Sequence, residues 1–251
     1  TGGWGIAYKS GKSVKPLFVA PAGQQITSTP VIVRNSEIPT AAKNTPNTLV
    51  LFGTGQYLTT ADITNTNVQT MYGVWDGGDP SLTRSDLVEQ ETTLGSSTGG
   101  ALGRTLTDNS VDYQYSSGWF IDLPDAGERI VTDPVIRGDL VFFNTMRPDT
   151  NPCESGGRGW LMVAKWNNGG HPSEVSFDLN GDSLLTMDDT IGGNAAAGVE
   201  IVGIPTSPVN LANKRYTSTT QTTGGSTIEV TDIIRVGGPK TGRLSWEELT
   251  P

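Results

Sequence analysis

The chain holds one cysteine and one histidine in 251 residues, and few charges. Cys153 alone cannot close an internal disulfide. In an oxidising compartment such a residue has a partner elsewhere or stays a free thiol, and a half-buried cysteine without a role fits equally. It lies in RPDTNPCESGGRG (147–159), a glycine-rich stretch expected to be exposed. His171, in NNGGHPSE, has no serine or cysteine partner in a recognisable nucleophile motif, so it reads as an exposed loop residue rather than a catalytic base. Charged residues make up only 17%, with 17 basic against 26 acidic side chains and a net charge of −9. That balance repels nucleic-acid phosphate and anionic membrane, so neither is an expected partner. No apolar run is long enough to span a bilayer. No export signal opens the sequence, and TGGWGIAYKSG reads as an internal start, that of a processed or truncated piece of a longer exported protein.

What is plentiful is turn chemistry, with 32 glycines and 15 prolines between short runs of Val, Ile, Phe, Tyr and Trp. That pattern predicts an all-β chain with little helix, forming one large domain or two smaller ones. ADIT (61–64) and SLTRSDLVEQETTL (81–94) are the best helical candidates, the latter without a proper capping box.

A loose repeat organises the strands. ITSTPV (26–31), IVTDPV (130–135) and IPTSPV (204–209) each join a small polar pair to proline and valine. Proline suits the first position of a strand, where its missing N–H does no harm. Strands are expected at 49–58, 69–76 and 113–123 after the first motif, and at 140–148, 159–166 and 173–179 after the second. PLFVA (16–20) reads as the last strand of a preceding unit. Four strands and a restart is the grammar of propeller blades, so the chain holds two blades and the start of a third. Two blades cannot close a ring, so either the remaining strands lie upstream or the last segments form a partial or irregular sheet. RYTSTTQTTGGSTIEVTDIIRVGG (215–238) reads as a hairpin about Gly224-Gly225, and Trp246 in GRLSWEEL (242–249) is expected to fasten the tail to a blade.

The sharpest chemical signal is DLNGDSLLTMDD (178–189). Asp178, Asn180 and Asp182 place oxygen side chains at positions 1, 3 and 5 of a loop, Leu184 offers a backbone carbonyl at position 7, and Asp189 stands at position 12. A hard calcium ion takes six to eight oxygens in such a wrap, and magnesium fits less well because it demands near-octahedral geometry. The pattern departs from an EF-hand in two places, with Ser183 where glycine makes the sharp turn and Asp for the closing Glu. The closing ligand stays open between Asp189, Asp188 and a hydroxyl or water at Thr186. The alternative is a solvated acidic loop whose Asp caps a short helix near 188–192.

Arg137-Gly138-Asp139 between two strands offers a guanidinium and a carboxylate to a host receptor of the integrin type, or simply a tight turn. GTGQ (53–56) and GRG (157–159) sit in no strand–loop–helix frame that would cradle phosphate and read as turns.

The stretches LFGTGQYLTTADITNTNVQTMYGVWD, GERIVTDPVIRGDLVFFNTMRPDTNPCESGGRGWLMVAKWNNGG, the acidic loop and GRLSWEEL, in that order, resemble the C-terminal domain of the PilY1 family of type IV pilus proteins. The resemblance implies a modified β-propeller with quinoprotein-like blades and an EF-hand- or dockerin-like calcium loop. Residues 1–251 would be the C-terminal part of that domain. Insertions would fall near 77–112 and 147–158, the calcium loop at 178–189 and the C-terminal hairpin at 215–251. It implies Ca2+ bound by Asp178, Asn180, Asp182 and the Leu184 carbonyl, and a non-enzymatic role in pilus biogenesis, pilus extension and retraction, twitching motility and adhesion. Pilin, minor pilins and other pilus components would be the partners. The protein would be secreted through the periplasm to the cell surface, pilus tip or outer membrane. A family-style nine-residue loop would close at position 9, which is Thr186 here, so this chain departs at the closing ligand. Two other readings compete: a propeller dehydrogenase of the quinoprotein class, whose calcium ligands would be scattered rather than sequential, and a dockerin-like binding module, which would carry the loop twice.

Overall fold

A computed structural model describes residues 8–38, 46–149, 156–211, 213–221 and 228–233. Cys153, the Gly224-Gly225 turn and Trp246 lie outside the described residues. A short hairpin of β1 (Lys9–Ser10) and β2 (Ser13–Val14) comes first, followed by β3 (Val31–Arg34), β4 (Thr48–Gly53) and β5 (Thr70–Asp76). Next are β6 (Val88–Gln90), β7 (Thr92–Ser96), β8 (Leu102–Leu106) and β9 (Gly118–Asp122). Then β10 (Val135–Arg137), β11 (Leu140–Pro148) and β12 (Gly157–Lys165) run in succession. A small hairpin, β13 (Thr190–Ile191) with β14 (Asn194–Ala195), leads to β15 (Gly198–Val202). The described part ends with β16 (Val209–Leu211), β17 (Lys214–Ser218) and β18 (Ile228–Asp232).

These strands make three principal sheets, of order β3-β4-β5-β9-β6, β10-β11-β12-β15-β8-β7 and β16-β17-β18. None closes on itself. All pairings are antiparallel except β6 on β9. Each polar-pair–Pro–Val motif leads into the first strand of a sheet, at Val31, Val135 and Val209.

The middle sheet explains the longest apolar runs. Side chains alternate between the faces of a strand. In β11, Val141 and Phe143 therefore join the core shared with the first sheet, while Leu140 and Phe142 face the third. In β12, Trp160, Met162 and Ala164 take the first side, Leu161 and Val163 the second. A strand buried on both faces is apolar over most of its length, and burying each such apolar side chain is worth about 1.5–3 kcal/mol; the buried Asn144 and Thr145 of β11 are paired instead, with Thr206 O and Glu128. Leu49, Leu51, Met71, Trp119 and Ile121 complete the first core from β4, β5 and β9. Trp119 lies flat over Gly73, where a Cβ would come within 2.3 Å of the indole. A third cluster, Phe52, Tyr72, Val74 and Phe120, fills the outer face of the first sheet under Leu17, Phe18, Leu82 and Leu87.

Several expectations are corrected. The helix expected over 81–94 is a 3-10 turn, Arg84–Asp86, followed by β6 and β7. Its Thr-rich sequence pairs with β8 and β9 instead, because β-branched residues lose little on a pleated surface. The turn carries a capping box two residues later than the expected start, with the Thr83 N–H donating to the Asp86 carboxylate at 2.8 Å. The polar stretch 77–112 is therefore not a loop throughout: its β7–β8 hairpin extends the second sheet beside β15. The fourth strand of the second unit is β15 at 198–202 and not 173–179, where only Phe177 bridges, to Ile233. PLFVA bridges only at Phe18, to Leu82, and serves as a cover for the outer face rather than as a ladder strand. ADIT does turn, as a 3-10 helix over Thr60–Thr64.

Candidate functional site

The acidic loop starts from a fixed point. Phe177 is buried in the second core, and the Asp178 N–H donates to Asp232 O at 3.4 Å. From there the side chains fold inward onto the backbone. Asp178 accepts from Gly181 N at 2.7 Å on one oxygen and from Ser183 N at 2.8 Å on the other. Asn180 Oδ1 accepts from Asp182 N at 2.9 Å, and Asp182 Oδ1 accepts from Leu184 N at 2.7 Å. The Asn180 amide also donates to Asp182 Oδ2 at 3.2 Å.

Two left-handed residues produce this curl, Gly181 at φ 77° and Ser183 at φ 64°. The second stands where the calcium-loop pattern asks for glycine. An L-residue held there costs roughly 1–2 kcal/mol, which the surrounding hydrogen bonds must offset. The sequence mismatch at position 6 is thus a mismatch of residue type and not of backbone conformation.

Asp189 ties the far end of the loop to its beginning. It is fully buried. One oxygen accepts from Leu179 N at 2.8 Å and Asn180 N at 3.3 Å, the other from Thr186 N at 2.9 Å. The 3-10 turn Met187–Asp189 follows, capped by Thr186, whose hydroxyl accepts from Asp188 N at 3.3 Å. The helix expected near 188–192 is therefore this single turn, and Thr rather than Asp caps it. Asp182 and Asp188 are exposed, and Asp178 is half-buried. Among the described residues, no three His, Cys, Asp or Glu side chains gather into a metal-binding group. The loop instead brings together an Asn amide oxygen, two carboxylates (Asp178 and Asp182), the backbone about Leu184 and the buried Asp189.

Arg137-Gly138-Asp139 forms a hairpin corner. Arg137 pairs with Leu140 across a two-residue turn whose first residue, Gly138, has φ 62°. Positive φ at that place suits glycine and matches the twist of the flanking strands. Trp166 fastens the corner, its Nε1 donating to Gly138 O at 3.0 Å and its N–H to Asp139 O at 3.1 Å. Arg137 is half-buried, with Nη1 turned inward and unpartnered, so the tripeptide does not present its guanidinium freely. His171 is half-buried rather than exposed, and its Nδ1 lies 2.8 Å from Pro172 O.

Sequence reasoning missed the buried arginines, because nothing in a single sequence marks which cation goes inside. Arg104 donates to Glu128 at 2.6 and 2.9 Å, sits 3.0 Å from an Asp125 oxygen, and stacks 3.9 Å from the Trp160 ring. Arg129 donates to four carbonyls, those of Gly127, Gln56, Asp62 and Asn65, and so wraps the 56–65 loop about itself. Arg215 reaches Met162 O and Phe143 O at 3.1 and 3.0 Å, and burial without a carboxylate partner pushes its guanidinium down from the ordinary value.

The family described as "PilY1 beta-propeller domain" matches residues 8–116. A type IV pilus biogenesis factor PilY1 homolog of Xylella fastidiosa is 33% identical over 179 residues, 66% of this chain and 12% of that protein. The Pseudomonas aeruginosa type IV pilus biogenesis factor PilY1 is 32% identical over 193 residues, 66% of this chain and 16% of that protein. A Xylella fastidiosa type IV pilus biogenesis factor PilY1 homolog also matches at 29% identity over 248 residues, 94% of this chain and 19% of that protein. The chain thus spans less than a fifth of the length of these relatives. The crystal structure of the Pseudomonas aeruginosa PilY1 C-terminal domain matches with a TM-score of 0.66 and 24% identity, covering 89% of this chain and 48% of that one. That likeness speaks for the fold.

Proposed function

The chain belongs to the PilY1 family of type IV pilus biogenesis factors, and we propose that it is a calcium-stapled, non-enzymatic part of such a factor, built as consecutive blades of a modified β-propeller. Face-to-face stacking of three sheets, each opened by the same motif, supports the propeller reading. Support for calcium comes from the loop itself, whose donors are all oxygen. Asp178, Asn180 and Asp182 are already curled over their own amides, and Ser183 holds the turn at φ 64°. The residues fit a hard divalent cation. Asp178, Asn180, Asp182 and the Leu184 carbonyl would hold it, with Asp189 closing the loop; a carboxylate offers about four acceptor sites, so those that Asp189 gives to amides leave room. The bound ion would supply charge neutralisation, letting carboxylates share one loop.

The loop lies between the second core, through Phe177 and Ile191, and solvent, where Leu184 and Met187 are exposed. Filled, it is a fixed surface feature that a pilin or another pilus component at the cell surface can read in pilus extension, retraction and attachment. Calorimetry with calcium on the wild type and Asp182→Ala tests the site, and equal heats would sink it. Twitching motility and surface pili in cells carrying Asp178→Ala with Asp182→Ala test the role. Normal extension and retraction at wild-type protein level would leave the ion as a local staple.

A further inference from the structure

Among the described residues, six strands lie at the edges of the three principal sheets, and five of them are guarded. β3, β10 and β16 each follow a proline, and β3 and β10 add Arg34 and Arg137. β6 is three residues long and carries Glu89, and β18 carries Asp232. Charge, proline and shortness all keep an edge from pairing with another chain. β7 (TTLGS) has five residues, no charge among them and no proline ahead of it.

The register of β7 shows which of its groups are turned outward. Thr107 N–H donates to Glu91 O at 3.0 Å and Ser97 N–H to Ala101 O at 2.9 Å, with Thr93 opposite Thr105 and Gly95 opposite Gly103 between them. Hydrogen-bonded positions alternate along an antiparallel pair. Thr92, Leu94 and Ser96 therefore turn their N–H and C=O away from β8, and among the described residues β7 pairs with no other strand. The hairpin is braced rather than frayed. Ile191 seats on Gly95 and Gly103, where a Cβ would come within 2.3 and 2.4 Å of it. Leu94 is 60% exposed along this edge. On the opposite face, Thr93, Thr105, Thr107, Asn109, His171 and Asn194 line an open groove of about 400 Å³.

A row of alternating donors and acceptors is matched by one kind of ligand, the backbone of an extended strand. We propose that β7 takes such a strand from a partner protein, antiparallel like every other pairing in this sheet, with uncharged β-branched side chains along the five residues of β7 and Lys or Arg at its C-terminal end. Antiparallel addition brings that end beside Glu91, which is exposed, and Glu89, which meets Arg84 only at 3.8 Å. Alternate side chains of the added strand cover Leu94 on one face and reach the groove on the other. The net charge of −9 works against a second copy of the chain and in favour of a basic segment. The inference goes beyond the proposed function and rests on neither the propeller nor calcium.

The test titrates the 251-residue chain with a capped peptide of alternating valine and threonine that ends in two lysines, and with the same peptide in reversed order. The first should bind and slow hydrogen exchange at the Leu94 amide at least about tenfold, with the Gly95 amide, already in the β8 ladder, unchanged. The reversed peptide, whose lysines lie at the wrong end for Glu91, should bind at least about tenfold more weakly. N-methylation of the valine facing Leu94 removes the donor to Leu94 O and should abolish binding. Leu94→Pro removes the outward N–H and spares the β8 ladder, so it should abolish binding while the ladder amides stay protected. No binding of either peptide overturns the proposal. Equal binding of the two orders, or of the N-methylated peptide, also overturns it, as a contact of charge alone. A Leu94 amide already protected in the free chain and released on dilution assigns the edge to a second copy. One protected at every dilution assigns it to the chain's own residues, and either result overturns the partner strand.

Discussion

Two regions of this molecule hold several charges close together, and they do it in opposite ways. Around Arg104, the two carboxylates of Glu128 and Asp125 meet two guanidinium groups, that of buried Arg104, which also lies over the Trp160 ring, and that of Arg147, 4.0 Å from Asp125, while the Thr145 hydroxyl donates to Glu128. In the 178–189 loop, Asp178, Asp182 and Asp189 meet backbone amides and the side-chain amide of Asn180, with no cationic side chain paired to them among the described residues. The first arrangement is electrically complete. The second orders the carboxylates without neutralising them, so its charge remains available to an outside cation. A buried pair that satisfies itself serves the fold, whereas carboxylates aligned by N–H groups keep charge that the proposed cation would neutralise.

The largest expected effect breaks the first region. Glu128→Ala leaves Arg104 buried with Asp125 as its remaining carboxylate, and should cost about 3 kcal/mol in denaturant unfolding. Replacing both Arg104 and Glu128 by apolar residues of similar volume should recover most of that loss. A double-mutant cycle with no coupling would show that the pair is not the source of the node's strength. The second region should respond to the ion instead. Calcium at a hundred times its dissociation constant should raise stability by about 2.7 kcal/mol, and a chelator should remove the gain. Asp182→Ala should abolish this response while Glu128→Ala keeps it; a chelator-insensitive melting temperature in the wild type would erase the contrast drawn here.

Ser183→Gly should sharpen the comparison by a smaller amount. Relief of the left-handed strain at φ 64° should stabilise the calcium-free chain by about 1 kcal/mol, measured by thermal unfolding in chelator. A destabilisation would mean that the Ser183 side chain carries a contact of its own. The smallest effect is local and concerns Asp62, a carboxylate managed by amides like those of the loop but closed off by Arg129. The N–H groups of Leu58 and Thr59 hold Asp62 below its ordinary carboxylate value. A depressed value in the folded state gives stability that is present above the unfolded value of about 4 and lost as pH falls through the folded one. Acid should therefore lower the exchange protection of the Leu58 and Thr59 amides, measured against the unstructured rate at each pH, in the wild type, and Asp62→Asn should flatten that dependence. Identical pH profiles would remove Asp62 from the loop's stability.

Much of the strand content was legible. Runs such as LVLFG, MYGVW and LVFFNTM are β-branched and aromatic, and bounded by turns, so β5 and β11 fall where the pattern put them, while β4 ends at Gly53, five residues short of the strand expected over 49–58. The hairpin expected over 215–238 pairs as β17 with β18. The errors share a cause. SEVSFDL has the alternation of a strand, but whether a segment joins a ladder depends on which edge is free. The edge of β12 is taken by Gly198–Val202, far along the chain. SLTRSDLVEQETTL lacks any long-range signal that β8 and β9 stand ready to pair with it. In the loop, the spacing of Asp178, Asn180, Asp182 and Asp189 was visible, because those positions act through local turns. That Ser183 would accept a glycine conformation was not, because its cost is met by bonds to Asp178 that only the folded loop makes.

By itself, then, the sequence determined the local chemistry: many short strands, three proline-led openings, an oxygen-rich loop and an acidic surface unsuited to nucleic acid. These follow from side-chain type and spacing over a few residues. Tertiary structure alone decided which strands became neighbours and which arginines were enclosed. It also decided that the second sheet is buried on both faces. These depend on contacts between residues from about twenty to more than a hundred positions apart, whose energy comes from burial and from pairing polar groups that water has left, and no short stretch of sequence carries that information.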